Sequence, residues 1–82
     1  NAIVSPYMND QSELKIKLET EYEGLDIFYT FDNTNPYHRS PKYEMPLSVP
    51  KNATRIRIIT YKIGIQVGQL ISLRIDELKE RI

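Results

Sequence analysis

The chain has 82 residues, with eleven Lys plus Arg balancing eleven Asp plus Glu, one His and no Cys. A length below the ~100–200 residues of a typical domain implies one small core. The absence of cysteine excludes a disulfide framework, a thiolate metal site and a cysteine nucleophile. At 40% hydrophobic and 27% charged residues the composition is that of a globular domain and not of a disordered one, and no run reaches the ~18–20 apolar residues of a membrane span.

In chain order, Asn1 and Ala2 read as an expression scar and are set outside the fold argument. Residues 3–7 form a first strand-like segment. Residues 13–19 alternate charged and apolar side chains without a break, the signature of a half-buried strand with Leu14, Ile16 and Leu18 facing a core. Gly24 marks a turn. Ile27, Phe28, Tyr29, Thr30 and Phe31 follow, β-branched and aromatic on both faces, which reads as a central strand. The cluster Asp32, Asn33, Thr34, Asn35, Pro36 ends it, because Asx side chains hydrogen-bond their own backbone. Pro41, Pro46 and Pro50 then confine Tyr43 and Leu47 to short edge pieces, since proline cannot donate to a ladder.

From Thr54 to Ile63 alternation returns, with Arg55 and Arg57 against Ile56 and Ile58. Gly64 and Gly68 flank a turn, or a bulge if Gly68 lies within a strand. Residues 70–75 supply a last strand. Residues 76–82 form a tail, a linker or one to two helical turns, with Ile75, Leu78 and Ile82 at helical spacing. About six or seven short strands separated by turn signals describe a small all-β antiparallel sandwich over residues 3–75.

The neutral total hides an uneven charge distribution. Residues 10–26 hold six acids and two Lys, and residues 39–62 hold six bases and one Glu. Side by side in a sandwich, the two segments would complement each other across strands. A sequence pI near 6.8 speaks against the basic stretch meeting nucleic acid, and neither nucleic acid nor a membrane is expected as a partner.

Catalytic chemistry finds no constellation. His38 stands in a loop between Tyr37 and Arg39 with no orienting carboxylate or co-ligand in the pattern, so it reads as a solvated loop histidine. Asp26 and Asp32 flank one strand, ~20 Å apart at ~3.3 Å per residue, beyond the ~5–10 Å that glycoside hydrolysis requires. Asn52, Ala53 and Thr54 match the loose N-glycosylation pattern. No metal or cofactor is expected. The aromatic residues offer two readings: they complete a small core with their hydroxyls at its rim, or they expose a stacking platform for sugar rings, for which Tyr37 and Tyr43 are the candidates. With Ile56, Ile58 and Thr60 facing inward, Ile59 and Tyr61 point outward beside one of the two side-chain sets of residues 27–31, an apolar patch that suits docking onto another domain.

The stretch 27–36, followed by Ser40, Tyr43, Pro46 and Leu47, resembles the C-terminal domain of chitobiases and β-N-acetylhexosaminidases. In that family a strand ending Tyr-Thr-x-Asp runs into Gly-Ser-x-Pro, then a serine, a tyrosine and a Pro-Ile or Pro-Leu pair, with a later alternating strand ending near a glycine. Here Tyr29, Thr30, Asp32, Asn33, Pro36, Ser40 and Pro46 carry the motif, and 56–64 is similar to the later strand. Asn33 replaces the usual turn glycine, a mild change because Asn also visits left-handed backbone. Ile58 and Thr60 stand where small residues are usual, and Gly68 replaces a frequent serine. The resemblance implies an immunoglobulin-like or fibronectin-like sandwich, non-catalytic by itself, packed against the catalytic domain of a secreted or periplasmic glycoside hydrolase. The alternative is a carbohydrate-binding module.

Overall fold

The computed structural model describes residues 1–82. Its elements are β1 (Ile3–Met8), β2 (Leu14–Glu19), β3 (Asp26–Thr30), β4 (Leu47–Ser48), β5 (Arg55–Lys62), β6 (Ile65–Arg74) and α1 (Ile75–Glu80). Two three-stranded antiparallel sheets, ordered β1-β2-β4 and β3-β5-β6, make the sandwich that the alternation implies. Directly opposed residues share a face, so the pairs Val4↔Leu18 and Ile16↔Leu47 line the inside of the first sheet. In the second, Ile27 lies opposite Thr60 and Tyr29 opposite Ile58 on the inner side. Pro6 is tolerated in β1 because that strand is an edge, where a missing N–H breaks no second ladder.

The core closes around Ile16, Ile56, Ile58 and Leu78, all fully buried. Two expectations are corrected there and one open alternative is decided. Of the readings for residues 76–82 the helical one holds: α1 starts at Ile75 and places Ile75 and Leu78 in the core, while the Ile75 N–H donates to the Thr54 carbonyl. Six residues cannot hold a helix in water alone, so this burial is what forms it. Asn1 and Ala2 belong to the fold, with Ala2 in the core cluster and Asn1 Oδ1 accepting from the Gln69 N–H at 3.0 Å. The central strand of its sheet is β5, not β3.

Charge complementarity across strands is also much smaller than expected. The acidic segment pairs mostly within β1-β2-β4 and the basic one mostly within β3-β5-β6, and one ion pair joins them, Lys42 to Asp26 at 3.0 Å. Gly68 produces the bulge. Between Ile58↔Ile71 and Thr60↔Val67 a step of two residues on β5 faces a step of four on β6, and Gly68 takes φ +78° there.

Candidate functional site

The outer side of β3 and β5 carries Phe28 opposite Ile59 and Thr30 opposite Arg57. Outward-pointing apolar residues on a small sandwich normally meet solvent, yet Phe28 and Ile59 are only 8% and 3% exposed. The chain's own 31–46 connection folds onto this face. Thr30 Oγ1 donates to the Thr34 carbonyl at 2.6 Å, Arg57 donates to Asn35 Oδ1 at 2.6 Å, and Pro36 is buried. The connection then runs along the edge of β3. The Tyr29 N–H donates to the Pro41 carbonyl at 3.1 Å and the Tyr43 N–H to the Ile27 carbonyl at 2.7 Å, so β3 is flanked on both sides although its outer partner is short.

Each motif residue has a local task in this strap. The Asp32 carboxylate accepts from the Thr34 N–H and hydroxyl, and these bonds, the hydroxyl first, hold its pKa below the ordinary 3.8. Asn33 adopts φ 67°, the left-handed turn for which Asn substitutes well for glycine. The Ser40 hydroxyl accepts from the Tyr37 N–H at 2.9 Å, and Pro46 leads directly into β4. Thr30, Asp32, Asn33, Pro36 and Ser40 thus fasten a lid of chain over an apolar sheet face.

The candidate patch at Ile59 and Tyr61 changes accordingly. Ile59 faces outward but is buried, unavailable to a partner, and Tyr61 is half-buried with its ring edge-to-face on Phe28 at 5.3 Å. Tyr37 is 50% exposed and meets the exposed His38 ring edge-to-face at 5.4 Å, whereas Tyr43 packs against the core. The two tyrosines are therefore held in different surroundings. Asn52 is exposed in the turn before β5.

Sequence reasoning missed the most exposed apolar feature, the tip of the β5–β6 hairpin. Ile63 and Ile65 are 86% and 69% exposed, and Ile63 adopts φ 48°, a conformation that β-branched residues rarely accept. The signal available was Ile63-Gly64-Ile65 itself, apolar residues in a turn where polar ones are usual.

Two facing antiparallel sheets with the strap closed over one outer side form a fibronectin-like β-sandwich of accessory type. The family described as Fn3 associated matches residues 16–73, and the chain belongs to that family. The match reaches from the core strand β2 to the end of β6 and includes the whole strap. No curated protein and no solved structure matches the chain.

Proposed function

We propose that this domain is a non-catalytic accessory module of a larger secreted or periplasmic glycoside hydrolase of the β-N-acetylhexosaminidase type, and that it packs against the catalytic domain of the same polypeptide. The observation that supports the reading is the use of the motif: the residues that carry the resemblance to hexosaminidase C-terminal domains fasten the strap, and they lie within the stretch matched by the Fn3 associated family. With Ile59 sealed, the surface that suits docking is the β5–β6 tip, where Ile63 combines exposure with backbone strain. Strained, exposed residues of this kind cluster at functional contacts.

The test is the thermal stability of the parent enzyme carrying Ile63→Asn with Ile65→Glu, the latter opposite Lys62 and so an opposite-charge pair. Both side chains are exposed in the domain, so the isolated domain should melt no earlier than wild type while the parent melts earlier. An unchanged parent refutes docking at the tip. The carbohydrate-binding alternative, with a sugar on Tyr37 or Tyr43, has its own measurement: calorimetric titration with N-acetylglucosamine oligomers, in which saturable binding lost on Tyr37→Ala or Tyr43→Ala would favour it.

A further inference from the structure

At one end of the sandwich, where β3 runs out and the chain crosses from β4 to β5, the sheets leave an open cleft of about 380 Å³. That volume lies within the ~300–1,000 Å³ of small-molecule sites. Tyr29 and Phe31 form its aromatic wall. Their ring centroids lie 5.7 Å apart and edge-to-face. Both pack against the core, which holds them in place. Pro41 and Pro50 add rigid apolar flanks, and Asp32 and Asn52 supply the polar groups.

The chemistry of this lining selects among ligands. No Lys, Arg or His lines the cleft, so with Asp32 ionised an anionic ligand such as a phosphate would meet an uncompensated like charge. A purely apolar occupant would bury the carboxylate and the amide without partners, at a cost. Asp32 is already oriented, since both Thr34 bonds fall on Oδ1, which leaves Oδ2 its acceptor capacity. Asn52 offers a donor and an acceptor together. A neutral pyranose ring meets every requirement: its C–H face suits the aromatic and prolyl walls, and its hydroxyls pair with the carboxylate and the amide.

We propose that the cleft binds one ring of a neutral saccharide, its apolar face on one ring of the edge-to-face pair Tyr29 and Phe31 and flanked by the two prolines, its hydroxyls on Asp32 and Asn52. The inference is independent of docking at the hairpin tip and shares with the Tyr37/Tyr43 alternative only the ligand class. A single ring at ordinary ligand efficiency binds with Kd of about 1 mM.

The test is an amide-resolved NMR titration of the 82-residue chain with oligomers of N-acetylglucosamine, glucose in β-1,4 linkage and glucose in α-1,4 linkage. The expected result is saturable shifts for at least one of them, centred on Phe31, Asp32 and Ala53. Asn52→Ala should weaken binding about threefold to tenfold, the worth of one net hydrogen bond, with the melting temperature unchanged. Phe31→Ala should weaken it further, but that ring packs on the core, so the Asn52 variant decides. Tyr37→Ala should leave binding intact. The proposal is overturned if no sugar gives saturable shifts by about 20 mM, roughly twentyfold above that constant. It is equally overturned if the shifts centre on Tyr37, if Asn52→Ala binds as wild type does, or if a proline-rich peptide shifts the same amides while no sugar does.

Discussion

Replacing Ile63 by Asn should stabilise the isolated domain. Ile63 and Gly64 take φ 48° and 75° in succession, and the pairing Lys62↔Ile65 makes them a two-residue hairpin loop. Two consecutive left-handed residues define a type I′ turn, for which Asn-Gly is the strongest short-range preference. Left-handed backbone costs an ordinary side chain about 1–2 kcal/mol, and Asn tolerates it far better. The loss on the other side is small: Ile63 is 86% exposed, so the exchange forfeits only the covered remainder of a side chain whose full burial is worth about 1.5–3 kcal/mol, or about 0.2–0.4 kcal/mol. The net gain is about 1 kcal/mol, which raises Tm by about 4–8 °C in a domain of this size. Urea denaturation followed by circular dichroism should show a higher midpoint with an unchanged slope. A midpoint equal to or below wild type would refute the assignment of strain at this turn. On the proposed docking, the same exchange should weaken binding to the catalytic domain, since it removes an exposed apolar side chain while it relaxes the turn.

Leu78→Ala should cost about 2–5 kcal/mol, the range for a fully buried leucine, because Leu78 is 0% exposed; a melt within 1 °C of wild type would return 76–82 to the status of a tail. Gly68→Ala should cost about 2 kcal/mol, since its φ of +78° disfavours a side chain and the new Cβ would lie 2.3 Å from Asn1 Oδ1, displacing the bond to Gln69; a variant as stable as wild type contradicts this. Asp32 and Asp76 have pKa values lowered from 3.8, by the Thr34 hydroxyl and the Arg74 guanidinium respectively. A lowered folded-state pKa gives stability that is present above the unfolded value and lost as pH falls through the folded one, so Tm should decline below pH ~3.8, and Asp32→Asn should lessen that decline. An equal decline in the variant would place the acid sensitivity elsewhere.

What was legible in the sequence was what depends on near neighbours. Alternation at Leu14, Ile16 and Leu18, and again at Ile56 and Ile58, places the core faces of β2 and β5 because a strand's period is two wherever it is buried on one side. Asn33 as the left-handed turn residue was readable from the resemblance, which has a glycine at that position, and its φ is 67°. Burial of Ile59 was not readable, because direction and exposure are different properties: the connection folded onto that face reaches Arg57 through Asn35, 22 residues before it, and is fastened by Thr30 and Arg57 from two strands. α1 was equally hidden, its helical pattern being too short to decide without the core that receives Leu78. Ala2 looked dispensable until the packing supplied its neighbours. Of the candidate site, the motif residues were readable as a turn that ends β3, whereas the strap they fasten was not. The cleft was not, since Phe31 and Asn52 meet only through the crossover between sheets.

The proposed docking of the β5–β6 tip on a catalytic domain is tested most directly by amide hydrogen exchange, comparing this chain alone with the same chain within the proposed parent enzyme. Slower exchange of residues 61–66 in the parent, with β1 and β2 unchanged, is the expected result. Equal exchange of residues 61–66 in the two samples would contradict it.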